Sequence, residues 1–189
     1  MTALGLSGWI TCAGSALFLV AAFLPISRVF GIESEKRRLK IIHDERRAWV
    51  AAQALFAAGA IVTALGVGLA ACALQDRAAS ALVSLPPAFL LLGAAGWSRH
   101  VWLRALDPMA FVRGGLPGWH FRLYTLLTLA AFQSIGWGLL WLGLPAWAGW
   151  TLIGGSAFFT GLYVRSRDLP PFLHYLLGLV LGVVLLRGG

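Results

Sequence analysis

The chain has little charge, and especially little negative charge. Charged residues make up 12% of its 189 residues, about half the share found in an ordinary soluble domain. None of the seven Asp and Glu residues falls inside a long apolar run, which argues against a pump that carries protons on an acid within the membrane. No stretch of about ten residues alternates polar and apolar side chains, so the pattern of a transmembrane strand is missing as well.

Cysteine is also scarce. Cys12 and Cys72 are the two thiols, too few for a disulfide framework, and without a Cys-x-x-Cys pair they do not predict a cysteine-based metal site. Both lie near the outer ends of the spans predicted below, at similar depth. We interpret them either as one disulfide or, more simply, as small apolar packing residues.

Long uncharged runs fill the chain instead. Hydrophobic residues make up 59% of it, and a helix needs about 20 apolar residues to cross the hydrocarbon core of a bilayer. One run, 123–164, is about twice that length and is divided by the turn signal GLPAWAGW at 143–150. We therefore predict an all-α polytopic membrane protein, with residues 1–189 forming a single domain of six transmembrane helices in a bundle. The predicted spans are 7–28, 48–74, 79–102, 121–142, 147–164 and 170–187.

The basic residues predict an orientation. Of the 15 Lys and Arg residues, only Arg77 and Arg187 fall on the far side of the predicted bundle. Because cytoplasmic loops carry the excess of Lys and Arg, the first, third and fifth loops are expected in the cytoplasm and both termini outside. The net charge of +8 is thus a topology signal, and no nucleic-acid partner is predicted. The first run has no basic start and is longer than a signal-peptide core, so we expect it to be retained.

Tryptophan supports the same assignment of sides. Interfacial belts place tryptophan at both membrane surfaces, and only Trp137 sits deeper in its predicted span. The other tryptophans are assigned to the cytoplasmic ends of their helices (Trp49, Trp97, Trp102, Trp119) and to the outer ends (Trp9, Trp141, Trp147, Trp150).

Small residues predict where helices pack closely. Gly59, Thr63 and Gly66 follow one another at helical spacing in the second span, and Gly178 and Gly182 do so in the sixth. Such faces let helix backbones approach each other. We favour packing within the chain over formation of a homo-oligomer.

The four histidines, His43, His100, His120 and His174, all lie near cytoplasmic helix ends. Their spacing matches no HxxxH or HExxH motif. The favoured interpretation is structural, as side chains whose polar ends reach the interface, and the alternatives are proton handling, ligand contact or metal binding.

A cytoplasmic mouth is the sharpest candidate site. Three helices each supply a basic residue and an imidazole at one depth, and together they would favour an anionic headgroup or a carboxylate. The alternative is that each arginine only anchors its helix to the anionic leaflet. The six candidate ligand-binding residues are Arg99, His100, His120, Arg122, Arg167 and His174.

Polar residues deeper in the spans are candidates for lining a cavity. Gln133 and Ser134 lie in the fourth span, and Ser156 and Thr160 are one turn apart in the fifth. Such groups also bond across helices without forming a site. The pair Pro86-Pro87 is expected to kink the third span and free backbone carbonyls.

The last quarter of the chain carries a family resemblance. LPAWAGW at 144–150 precedes the fifth span, and PPF at 170–172 opens the sixth. Over about residues 139–186 the chain resembles a group of uncharacterised bacterial six-pass integral membrane proteins, a domain of unknown function. The resemblance implies a multi-pass protein of the bacterial inner membrane, and it assigns no functional residues.

No catalytic pair, metal-ligand spacing or phosphate loop is present, so no catalytic residue, metal or cofactor is predicted. We expect a small transporter-like or lipid- and hydrophobic-ligand-binding module whose partners are membrane lipids. One alternative is a non-catalytic subunit that packs into a larger membrane complex. A weaker alternative is a haem- or metal-binding redox protein.

Overall fold

The computed structural model describes residues 2–74 and 80–188, with side chains from residue 85 onward in the second part. The predicted outer connection 75–79, with Arg77, lies outside the described residues. All regular elements within them are helical. They are α1 (Ala3–Phe23), a 3₁₀ helix (Pro25–Gly31), α2 (Glu35–Asp44), α3 (Arg46–Ala73), α4 (Ser80–Leu106), α5 (Pro108–Val112), α6 (Trp119–Trp141), α7 (Ala146–Ser166) and α8 (Phe172–Arg187).

For five of the six predicted spans, both ends lie within four residues of the ends of a long helix. The first span, 7–28, was placed too far along the chain. Thr2 caps α1, accepting a hydrogen bond from the Gly5 backbone N–H at 3.0 Å, and α1 ends at Phe23. Leu24 is extended because the residue before a proline avoids the helical region, and Pro25 then opens the 3₁₀ helix.

Three helices in the described part of the chain are long and apolar enough to cross a membrane: α1, α3 and α6. The prediction from sequence was six. Helix α8 is apolar but has 16 residues, and α7 contains glycine, serine and threonine residues that lower its mean hydropathy. Over the described residues, the fold is therefore all-α with three candidate membrane-spanning helices.

The six long helices pack in a closed ring. In order around it, α1 contacts α3, α3 contacts α4, α4 contacts α6, α6 contacts α7, α7 contacts α8, and α8 returns to α1. The contact between α1 and α3 depends on glycine, since a Cβ built at Gly59 would lie 2.7 Å from the Phe18 backbone nitrogen. Across the α1–α8 contact, the rings of Phe18 and Tyr175 stack with centroids 3.8 Å apart.

A small apolar cluster covers one end of the ring, which we call the basic end because the basic connections 24–45 and 107–118 lie there. Helix α2 is amphipathic and buries Ile42. The segment 105–121 contains the one-turn helix α5, whose N-cap is Asp107. Arg28 and Glu45 form an exposed ion pair there. The buried residues of this cluster are Ile26, Val29, Ile42, Trp49, Ala52 and Val112.

Candidate functional site

A cavity of about 600 Å³ opens between the helices at the basic end. Its walls come from the end of α1, the 3₁₀ helix, the start of α3, the end of α4, the start of α6 and the segment that leads into α8. Most of the lining is apolar, and the polar side chains in it are few. The lining residues are Phe18, Ala22, Ser27, Phe30, Gly31, Phe56, Trp97, His100, Arg104, Gly118, Phe121, Asp168, Pro170, Pro171 and Phe172.

Aromatic rings that contact one another form the inner wall. Phe18 and Phe56 have ring centroids 4.8 Å apart, and Trp97 lies 5.7 Å from Phe18 and 6.1 Å from Phe56. Behind this wall, Tyr124 stacks on Trp97 at 4.8 Å. Because each ring is fixed by its neighbours, the wall is a rigid apolar surface.

Arg104 provides the cation in the cavity. Its guanidinium carbon lies over three aromatic rings, 5.4 Å from the centroid of Phe30, 5.3 Å from Trp97 and 5.0 Å from Phe111. The Trp49 indole N–H donates to the Arg104 carbonyl at 3.2 Å and fixes the backbone there. Cation–π contacts of this kind hold a guanidinium by its flat face.

The sequence prediction did not select Arg104, which it counted only among the basic residues of the third loop. The spacing of Arg104 from two neighbouring residues in the sequence could have indicated it. Trp97, His100 and Arg104 occupy positions i, i+3 and i+7, which is one face of a helix. The predicted site included only His100 from this face.

Several buried nitrogen atoms at this face have no hydrogen-bond partner in the described part of the chain. They include Trp97 Nε1, His100 Nδ1 and Arg104 Nε. Trp97 is 1% exposed and His100 is 6% exposed. Buried polar groups are nearly always hydrogen-bonded, so these three atoms are exceptions, and each belongs to a residue that lines the cavity.

The imidazoles of the predicted mouth lie inside the bundle. His100 and His120 have ring centroids 6.4 Å apart, and His120 stacks on Trp119 at 3.8 Å. His174 is fully buried. Its Nδ1 lies 2.9 Å from the Pro171 carbonyl, and its ring is 5.4 Å from that of Tyr124.

The arginines of the predicted mouth lie elsewhere. Arg99, Arg122 and Arg167 are all exposed, and none of them lines the cavity. Arg167 has a left-handed backbone, with φ of 58°, where it ends α7. The structure thus brings His100 and His120 together and leaves these three arginines at the surface.

The deeper polar residues form contacts between and within helices. Ser156 Oγ donates to Gln133 Oε1 at 2.5 Å, joining α7 to α6. Thr160 and Ser134 donate to carbonyls one turn earlier in their own helices, at 2.8 and 2.9 Å. None of the four lines the cavity. Pro86 and Pro87 lie within α4, which continues through them.

The cysteines do not form a bridge, and the described residues contain no metal cluster. Cys12 and Cys72 are both free. A Cβ added at Gly182 of α8 would overlap the sulfur of Cys12, so Cys12 acts as a small packing residue. Among the residues that the structure describes, no group of three or more His, Cys, Asp and Glu side chains could hold a metal ion.

No protein-family model matches this chain, and neither a curated protein nor a solved structure is similar to it. The function must therefore be argued from the site alone.

Proposed function

We propose that this protein binds an amphipathic ligand in the cavity at the basic end, without covalent chemistry. The observation that carries the proposal is the cavity of about 600 Å³, walled by aromatic rings and supplied with a few polar groups. Binding sites for small molecules have volumes of about 300–1,000 Å³ and this same mixture of apolar walls and placed polar groups.

The lining contains both an apolar wall and charged side chains, which favours an amphipathic ligand over a wholly apolar one. Phe18, Phe56 and Trp97 form the inner wall, where an acyl chain or another apolar group would fit. Arg104 and Asp168 bring charge to the lining. A ligand with one apolar and one polar end satisfies both parts.

In the proposed arrangement the protein lies in a bacterial inner membrane, with six spans and both termini outside. The cavity then opens at the cytoplasmic leaflet, because the basic connections flank it. The six long helices and their closed ring of contacts support the six-span count.

Topology has a direct test. A fluorescent reporter that matures only in the cytoplasm is fused to the C-terminus of the chain, and the same reporter is inserted after Gly114 in the connection between α5 and α6 as the matched control. We expect a dark C-terminal fusion and a bright internal one. The reverse pattern would overturn the orientation.

Ligand binding is tested by filling the cavity. Ala22 lines it at the end of α1, whereas Ala13 is exposed on the same helix. Native mass spectrometry of protein in nanodiscs should show a bound amphiphile in the wild type and in Ala13→Phe, and should show none in Ala22→Phe. The proposal would be wrong if the two variants carried equal amounts of bound amphiphile, or if the wild type carried none.

A further inference from the structure

We propose that the cavity selects an anionic amphiphile, whose carboxylate or phosphate head is held by Trp97, His100 and Arg104. This inference rests on the proposed function, since it names the class of ligand for the same cavity. It differs from the mouth predicted from sequence, because the selecting residues lie on one face of α4 and include two that the prediction did not contain.

The first argument is the chemistry of the unpartnered atoms. An indole N–H and a guanidinium N–H can only donate hydrogen bonds, and a histidine nitrogen donates when it carries the proton. Trp97 Nε1, His100 Nδ1 and Arg104 Nε are all buried and lack an acceptor in the described residues. Because these atoms have almost no accessible surface, side chains must rotate before a ligand in the cavity reaches them, and a group that then accepts several hydrogen bonds at once is a carboxylate or a phosphate.

The second argument is charge. Arg104 makes no ion pair in the part of the chain that the structure describes, where the salt bridge found is between Arg28 and Glu45. Asp168 also lines the cavity, but its side chain is exposed and lies more than 4.0 Å from the nitrogens of Arg104. Arg104 therefore has no direct ion pair there, although the Asp168 carboxylate attracts it over a longer distance, and the aromatic walls of low dielectric strengthen its attraction for an anion.

The third argument is how the guanidinium is held. Ring faces attract a cation but accept no conventional hydrogen bond, so the N–H edge of Arg104 is not used by its three aromatic neighbours. Arg38 of α2 lies over the same Phe111 ring, with its guanidinium carbon 5.0 Å from the centroid. Two guanidinium groups therefore share one aromatic ring beside the cavity, which adds to its attraction for an anion.

Four probes separate head-group charge from chain binding: a long-chain fatty acid, lysophosphatidate with the same chain, the neutral monoglyceride of that chain, and inorganic phosphate. Binding is measured to the protein in phosphatidylcholine nanodiscs. We expect the two anionic amphiphiles to bind about tenfold tighter than the monoglyceride, the gain typical of a charge-assisted hydrogen bond. Inorganic phosphate should bind weakest because it makes no use of the aromatic wall.

Arg104→Gln should abolish the preference for the anions while keeping the affinity for the monoglyceride, and that retained affinity shows that the variant is folded. His100→Asn, on the same helix face, should reduce the preference and serves if the first variant does not fold. Arg47→Gln is the matched control, since Arg47 is an exposed cation at the same end that does not line the cavity. It should leave all four affinities unchanged.

The outcomes distinguish the two proposals. If no amphiphile binds, the proposed function fails and this inference fails with it. If the monoglyceride binds as tightly as the anions, or if Arg104→Gln keeps the preference, the selection of an anion is wrong while the ligand-binding function stands. If inorganic phosphate binds as tightly as lysophosphatidate, the site takes a free anion and the amphiphile is the wrong ligand.

Discussion

The contact between α1 and α3 can be tested with two alanine substitutions in one helix. Gly59 and Gly68 both lie in α3. A Cβ at Gly59 would lie 2.7 Å from the Phe18 nitrogen and 2.9 Å from the Gly14 carbonyl oxygen, both backbone atoms of α1, whereas a Cβ at Gly68 would meet nothing within 4 Å. The two variants therefore share a helix and a chemical change, and they differ in what the added methyl group meets.

The expected magnitude follows from these distances. With alanine at position 59, α1 would have to retreat by about 0.7 Å to restore ordinary contact at 3.4 Å. Overpacking lowers the free energy of unfolding by about 1–3 kcal/mol. The upper half of that range applies here because the added methyl group meets backbone atoms, which cannot rotate away as a side chain can. Because alanine has a higher helix propensity than glycine, the substitution also raises the free energy of unfolding by about 1 kcal/mol. The net loss for Gly59→Ala is about 1–2 kcal/mol, while Gly68→Ala should be neutral or gain up to about 1 kcal/mol.

The assay is thermal unfolding of both variants and the wild type in identical nanodiscs, followed by tryptophan fluorescence. For a chain of this size 1 kcal/mol shifts the melting temperature by about 2–4 °C, so Gly59→Ala should melt about 2–8 °C lower than the wild type. Gly68→Ala should melt at or slightly above it. If both variants melt at or above the wild-type temperature, α1 and α3 are not packed as closely as described.

Three further substitutions test individual contacts by the same assay. Ser156→Ala removes the bond to Gln133 and should cost about 0.6 kcal/mol, the average for polar contacts between membrane helices; a loss beyond about 2 kcal/mol would contradict that ordinary role. Trp49→Phe removes the donor of this partly buried hydrogen bond to the Arg104 carbonyl and should cost about 1–3 kcal/mol, so an unchanged melting temperature would argue against this hydrogen bond. Glu45→Gln removes an exposed ion pair and should change stability by less than about 1 kcal/mol; a larger loss would show that the pair is shielded from solvent.

The tryptophans show that the burial of a side chain near a helix end could not be predicted from sequence. Trp49 and Trp97 were assigned to an interfacial belt together with Trp102, yet Trp49 is 0% exposed and Trp97 is 1% exposed, whereas Trp102 is 58% exposed. Depth in a membrane can be estimated from distance along the chain to the nearest charged residues. The direction in which a side chain points depends on which neighbouring helix covers it, and these three tryptophans have similar local sequence contexts.

The sequence by itself determined the positions of the helices and the gathering of basic residues at one end. Both are local properties, since an uncharged apolar run of about 20 residues favours a helix whatever its neighbours, and a basic connection stays basic. The misplaced end of α1 also had a local cause, because Pro25 was enough to indicate where the helix stops.

Tertiary structure alone decided which of the basic residues face the interior. Periodicity places Trp97, His100 and Arg104 on one face of α4, but helices α1, α3 and α6 had to pack around that face before it could line a cavity. The exposed Arg99 is adjacent in sequence to the buried His100. A rotation of about 100° per residue separates the two, and only contacts between segments far apart in the chain determine which side becomes the cavity wall.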